Sequence, residues 1–291
     1  FLDLKSNLDI LIESMNVFLD SLPSNSFIRT FVEYYIEREE SPTQYIIGSA
    51  LHCLSSLAGR KCFVKLGSMK VYLPLYIVLV GRSGFMRKTS ALHCAEQNIS
   101  AVDSTITFPS DGISAGAFFD ILVHKPHRSA TCTELRQLIP HNSKITDTRL
   151  IPLLTNLADC PPFIRFSYKN RSVPGELATT LEVKDPYFTL LGATTLEWFD
   201  IDPSDIAGGF MGRVLPISAT EKDKRMIVFP PDENPIIITK IQQYLTCLKL
   251  VSCSMTLSPE SKVIYEEKYK LFESLASQSP NDLVCTLYSR L

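Results

Sequence analysis

The chain has 291 residues, 45% of them hydrophobic and 21% charged, which suits one large α/β domain with an accessory segment and excludes wholesale disorder. A net charge of -2 excludes a global basic field as a means of holding nucleic acid, while leaving room for a local stripe. No apolar run reaches membrane-spanning length, the longest being Leu73 to Val80, and no basic-apolar-small leader opens the chain. The sequence starts at Phe1 and stops after Tyr288-Ser289-Arg290-Leu291, so it is expected to be an excised piece of something longer. Its eight cysteines form no CxxC pair. They are expected to be buried free thiols in a reducing cytoplasm, not zinc ligands or disulfides.

The first forty residues read as helix, with Leu8, Ile10, Leu11, Met15 and Phe18 near helical spacing and a break at Pro23-Ser24-Asn25. Ser41-Pro42 reads as an N-cap followed by proline at the first helical position, and Ile46, Ile47, Ala50, Leu51, Leu54 and Leu57 carry that helix to Gly59. Cys62 to Leu66 and Val71 to Leu73, flanking Gly67-Ser68, predict a short hairpin. Leu73 to Val80 is nearly unbroken apolar sequence rich in β-branched residues, the pattern of a strand buried on both faces. A glycine-containing loop and a helix from near Thr89 follow.

Further strands are predicted at Ser129 to Thr133, Tyr187 to Ala193 and Val214 to Ile217, with helices at Ser114 to Val123 and near Leu150 to Asp159. This alternation predicts a largely parallel sheet. After Pro216 the chain reads as linker through Glu221-Lys222-Asp223-Lys224-Arg225 and Phe229-Pro230-Pro231. It then turns helical from Pro235, with a start at Ser258-Pro259-Glu260 and an apolar face of Ile264, Leu271, Phe272 and Leu275. The expected organisation is a helical N-terminal segment (1–60), a core (61–220) and a helical C-terminal subdomain (221–291).

The strongest chemical signal is Val80-Gly81-Arg82-Ser83-Gly84-Phe85-Met86-Arg87-Lys88-Thr89. Phosphate binding needs glycines that turn backbone N–H groups toward an anion, a lysine for the terminal phosphates and a hydroxyl for Mg²⁺. It also needs a helix N-terminus aimed at the ligand. Here Gly81, Ser83 and Gly84 would shape the cradle, Lys88 would take the phosphates and Thr89 would hold Mg²⁺. The loop departs from G-x-x-x-x-G-K-[ST], because six residues separate Gly81 from Lys88 and Arg87 fills the usual glycine slot. Aligned without a gap, Arg87 would fall in the lysine slot instead. A loop one residue longer keeps Lys88-Thr89 as the working pair and is preferred.

These residues, with Ser90-Ala91-Leu92 after them, resemble a P-loop domain family of phage, plasmid and integrated-element replication proteins, similar to primase-associated helicases. Three more stretches fit: Thr133-Glu134-Leu135-Arg136-Gln137-Leu138, Leu157-Ala158-Asp159-Cys160-Pro161, and Gly192-Ala193-Thr194-Thr195 with Gly208-Gly209-Phe210-Met211-Gly212-Arg213. The resemblance runs roughly from Ser41 to Leu215. It implies a P-loop NTPase core of RecA/AAA+ kind that uses ATP and Mg²⁺, works on DNA (single-stranded), and assembles as a homo-oligomeric ring with a primase or another replication protein as partner. By that resemblance Thr194 or Thr195 would be a polar sensor near the γ-phosphate, although hydroxyls capping a helix from Leu196-Glu197-Trp198 would look the same.

Glu134 follows a strand end and is the candidate for orienting the attacking water, with Asp159 next in line; Thr133 stands where a metal-binding Asp is expected. Arg213, delivered by a glycine-rich loop, is the candidate for completing a neighbouring subunit's site. The expected activity is ATP hydrolysis by a DNA helicase or translocase. A slow ATPase switch or loader, or an inactive scaffold, stays open. His124-Lys125-Pro126-His127-Arg128 reads as a solvated basic loop, not a metal pair. Phe163, Phe166 and Tyr168, alternating with Arg165, Lys169 and Arg171, fit either a single-stranded nucleic-acid contact or an edge hairpin. Trp198 and Phe199 read as core.

Overall fold

The structure is a computed structural model that describes residues 19–108, 113–138, 150–168, 179–195, 209–222 and 226–278. Helix α1 (Phe27–Ile36) opens at Ser26, whose hydroxyl accepts the Arg29 amide at 3.3 Å. The face from Leu8 to Phe18 lies outside the described residues. Helix α2 (Thr43–Ala58) ends at Gly59, where φ is 56°, a conformation glycine adopts without steric cost. Its start differs from the expectation. Pro42, not Ser41, is the capping residue and has no polar side chain to bond with; the Ser41 hydroxyl instead donates to the Arg87 carbonyl at 2.8 Å.

Strands β1 (Cys62–Leu66) and β2 (Met69–Val71) form a hairpin around Gly67-Ser68, its second arm lying before the expected Val71 to Leu73 because the turn takes only those two residues. Strand β3 (Tyr76–Val80) is buried at every residue. It begins after Pro74, which has no N–H to give to a ladder. Then come α3 (Lys88–Asp103), β4 (Thr107–Phe108), α4 (Ala115–His124) and β5 (His127–Cys132). They are followed by α5 (Leu135–Leu138), α6 (Leu150–Ala158), β6 (Phe163–Tyr168), β7 (Thr179–Lys184) and β8 (Tyr187–Thr194). The remaining elements are β9 (Val214–Ser218), α7 (Pro235–Leu250), β10 (Cys253–Thr256) and α8 (Pro259–Gln278).

The chain is mixed α/β, with five strands in one wholly parallel sheet ordered β4-β5-β8-β3-β9. Alternation along the strands splits the core in two. Ile77, Leu79, Leu191, Ala193 and Ile217 face a layer built from α1, α2, α3 and α7. Tyr76, Val78, Val80, Phe188 and Leu190 face α4, α5 and α6. Burial on both sides is why these strands read as apolar runs and not as alternating patterns. No helix among the described residues is long and apolar enough to cross a membrane.

Two features of the C-terminal part differ from the expectation. Cys253–Thr256 is a strand, β10, pairing parallel with β1 from Cys62↔Cys253 to Lys65↔Thr256. Along α8 most of the expected apolar face is exposed, with Ile264 at 58% and Leu271 at 47%, while Phe272 is half-buried and Ala276 is buried.

A polar cluster crosses the first core layer. Ser56 Oγ lies 2.8 Å from Ser129 Oγ and 2.9 Å from Thr189 Oγ1, and Ser129 Oγ lies 3.1 Å from His52 Nε2. His52 is fully buried, with Nδ1 unpartnered among the described residues, and burial pushes its pKa down from 6.5 to about 3. The fold therefore holds His52 neutral, while the unfolded chain protonates it. The unfolded state binds more protons below pH 6.5, so stability is full above that value and is lost as pH falls toward the depressed pKa, by at most about 1.4 kcal/mol per unit. His127, also pushed down by burial, acts in the same direction. Urea unfolding at pH 7 and pH 5 should show a loss of about 2 kcal/mol from His52. The difference should shrink in His52→Gln; an unchanged difference would move the effect elsewhere.

Candidate functional site

The carboxyl ends of the parallel strands are where open α/β sheets bind ligands. Gly81 leaves β3 there, and its N–H donates to the Thr194 carbonyl at 3.2 Å. A Cβ on Gly81 would collide with Tyr45 Oη and stand 3.1 Å from Met86 Cγ, so only glycine fits. Tyr45 donates its hydroxyl to the Val80 carbonyl at 2.6 Å, and burial pushes its phenol pKa up, keeping it a donor. The loop then runs outward through Arg82, Ser83 and Gly84, all exposed, with Gly84 at φ 68°. It returns through Met86, which is fully buried and anchors it.

Arg87, in the slot where the pattern has glycine, sits at φ 50° and ψ 35° directly before α3. That left-handed conformation costs a non-glycine residue roughly 1–2 kcal/mol. Lys88 is the first residue of α3, and its ammonium turns back to donate to the carbonyls of Gly81 at 2.5 Å and Arg82 at 3.2 Å. Thr89 follows on the exposed first turn. Between strand and helix the chain thus places a left-handed residue, then a lysine folded over the loop, then an exposed threonine.

Neighbouring strand ends complete the edge. Thr194 closes β8 as the register partner of Val80, and Ser218 closes β9 on the other side of Val80. Thr195 Oγ1 and Ser218 Oγ are buried and lack a partner among the described residues. Unsatisfied hydroxyls beside a candidate anion site are suited to a polar ligand. Glu134 lies two residues past the Cys132–Gly192 pairing, its carbonyl accepting the Cys132 thiol at 3.1 Å. A Cβ on Gly192 would stand 3.1 Å from Leu135 Cδ1; that close approach brings the start of α5 onto the strand end. Glu134 is exposed. Its strand is two spacings from β3, about 10 Å.

The structure does not bring Arg213 to this edge. It precedes β9, one residue before the Tyr76↔Val214 pairing, which places it at the opposite end of the sheet, roughly 20 Å from Gly81. Its guanidinium is bound in a fork by Asp159, with Nε–Oδ1 at 2.9 Å and Nη2–Oδ2 at 2.5 Å, and Nη1 donates to the Gly209 carbonyl at 2.8 Å. Asp159 is thereby also distant from the loop.

Among the other sequence features, His127 is no solvated loop residue: it starts β5, its Nε2 lies 2.7 Å from the Ser56 carbonyl oxygen, and the ring is mostly buried. Strands β6 and β7 pair as an antiparallel hairpin, with Arg165 bound to Glu182 at 2.7 Å and Phe166 stacked on Phe119 in the core. Lys169, Arg171, Trp198, Phe199 and Gly208 lie outside the described residues.

Sequence reasoning missed a hub beside the loop. Glu40 Oε2 accepts Lys222 Nζ at 2.9 Å and Arg87 Nε at 3.4 Å, and its Oε1 accepts the Ile227 amide at 3.3 Å. The Lys222 hydrogen bond holds the Glu40 carboxyl below its ordinary range. Lys222 also lies 5.0 Å from the ring centroid of Phe85, in the loop. Nothing local marks these residues, because Glu40 and Lys222 are 182 positions apart.

No family model matches the chain, and no curated protein matches it. Among solved structures, the A form apo structure of the NrS-1 C-terminal region is similar at a TM-score of 0.38 and 12% identity, over 88% of this chain and 55% of that one. A second structure of that region, residues 305–718, is similar at a TM-score of 0.33 and 11% identity, over 88% of this chain and 54% of that one. The chain thus spans about half the length of the chains it matches. A likeness this distant carries no functional argument, and the site is read from its own residues.

Proposed function

We propose that this chain is an ATP-hydrolysing P-loop domain acting as a DNA helicase or translocase in replication of a mobile element. The observation that carries the ATPase reading is the Lys88 ammonium, placed at the N-terminus of α3 and folded onto the Gly81 and Arg82 carbonyls across a loop fed by a buried strand. That amine would exchange two neutral carbonyls for phosphate oxygens, making charge-assisted bonds roughly twice as strong. The loop amides and the helix dipole add to it. The residues also fit Mg²⁺: the Thr89 hydroxyl would hold it, and the ion would neutralise phosphate charge when bound. The nucleic-acid role is supported by the order of motifs from Ser41 to Leu215.

In this reading Glu134 orients and polarises the attacking water from the end of β5, and a Thr194 or Thr195 hydroxyl bonds the terminal phosphate. The exposed Thr133 before Glu134, where a second carboxylate is expected, favours a slow switch as the second reading. One variant tests the role of Glu134, and stimulation of the wild type by DNA separates motor from switch. Glu134→Gln is expected to bind ATP normally and hydrolyse it about 10²–10⁴-fold more slowly, the usual loss when a general base is removed. The assay is single-turnover hydrolysis with and without single-stranded DNA. Equal rates in both proteins would move the base elsewhere, and no ATP binding by either would end the P-loop reading.

A further inference from the structure

We propose that Lys222 is a second cation of the phosphate site, stored on Glu40 and transferred to a nucleoside triphosphate when one binds. This rests on the P-loop reading and names a residue that the loop itself does not contain. Strand β9 lies beside β3, with Ser218 the register partner of Val80. The chain leaving Ser218 therefore passes the base of the phosphate loop, and four residues later Lys222 reaches its flank. Its ammonium lies 5.0 Å from the ring centroid of Phe85, between Gly84 and Met86. Among the described residues its anionic partner is Glu40, at 2.9 Å.

Glu40 is shared. The same oxygen takes Arg87 at 3.4 Å, so one carboxylate serves two cations at the loop. The hub thus holds two cations beside the loop, Arg87 being the residue before Lys88. Lys222 and Glu40 each have side chains only 20% exposed, so the pair is partly desolvated and weakly screened. A triphosphate carries more negative charge than one carboxylate and competes for the ammonium. A diphosphate, without the outermost group, competes less. The other oxygen of Glu40 holds the Ile227 amide at 3.3 Å, in the segment leading to α7. Departure of Lys222 from Glu40 therefore loosens one tie on that segment and reports the state of the nucleotide to it.

The test uses the full chain and three variants, titrated with fluorescent ADP and a non-hydrolysable ATP analogue in Mg²⁺. Lys222→Met keeps the apolar stem against Phe85. It is expected to weaken the triphosphate analogue about tenfold, the scale of one charged hydrogen bond, while ADP affinity moves less than about twofold. Lys222→Arg should restore most of the loss. Glu40→Gln should tighten the triphosphate, because it releases the stored cation. Equal losses for both nucleotides in Lys222→Met would overturn the proposal and leave a structural latch. So would weakened triphosphate binding in Glu40→Gln. If the wild type binds nucleotide and Lys88→Ala does not, yet Lys222→Met is indistinguishable from wild type, only this proposal fails. Absence of nucleotide binding by the wild type overturns the P-loop reading along with it.

Discussion

Lys88→Ala is expected to abolish measurable ATP binding, weakening it by at least about 10²-fold, the loss of one or two charge-assisted hydrogen bonds to phosphate. The fold should survive, because Lys88 sits only partly buried on the first turn of α3 and bonds to the loop carbonyls of Gly81 and Arg82. Its neighbour supplies the control. Alignment without a gap would make Arg87 the phosphate-binding cation, yet Arg87 points its guanidinium at Glu40 and its backbone is left-handed, at φ 50°. Arg87→Gly should therefore keep ATP binding and leave stability unchanged or raised by up to about 1 kcal/mol, since glycine takes that conformation freely. The reverse pattern, with Arg87→Gly inactive and Lys88→Ala normal, would exchange the roles of the two residues. Isothermal titration with Mg-ATP, alongside thermal unfolding, reads both arms.

What could be read along the chain and what could not divide by sequence distance. Tyr76–Val80 was readable because burial on both faces forbids polar residues, and Gly59 because a helix end at positive φ selects glycine. The loop from Gly81 is likewise a local object: the strand before it and the helix from Lys88 lie where the apolar run and the Lys88-Thr89 pair put them. Strand β10 was hidden, being four residues long and defined by pairing with β1 some 190 positions away. The Ser41 hydroxyl looks like a helix cap in sequence, but tertiary packing turns it to the Arg87 carbonyl. Glu40 and Lys222 carry no signal of their own, since each lies in a run of charges that reads as solvated until the fold brings its partner. The exposed face of α8 shows the opposite failure. Helical periodicity reported an apolar stripe correctly, but periodicity does not say what, if anything, covers it.

Arg213→Ala is expected to lower ATP turnover by roughly 10³–10⁵-fold while leaving ATP binding to the same chain unchanged, as an arginine finger acting on a neighbouring subunit would. Its place at the end of the sheet away from Gly81 puts its own phosphate loop out of reach, so any catalytic part it has is played in trans. The competing account is structural: a forked Arg–carboxylate pair, with the Arg213 side chain 16% exposed, holding the turn before β9 onto the end of α6. Asp159 separates the two. Its side chain is 56% exposed and resolvates when the pair breaks, so the pair contributes about 1 kcal/mol or less. Asp159→Asn should lose that stability too, but it frees the guanidinium and should retain turnover. A structural pair predicts matched losses in both variants. The deciding experiment mixes Arg213→Ala chains with Lys88→Ala chains. Each is inactive alone, but a shared interface joins an intact phosphate loop to an intact arginine and restores part of the hydrolysis. If verified mixed oligomers stay inactive, and Asp159→Asn and Arg213→Ala fall together in melting temperature and turnover, then the pair holds the fold and Arg213 has no part in hydrolysis.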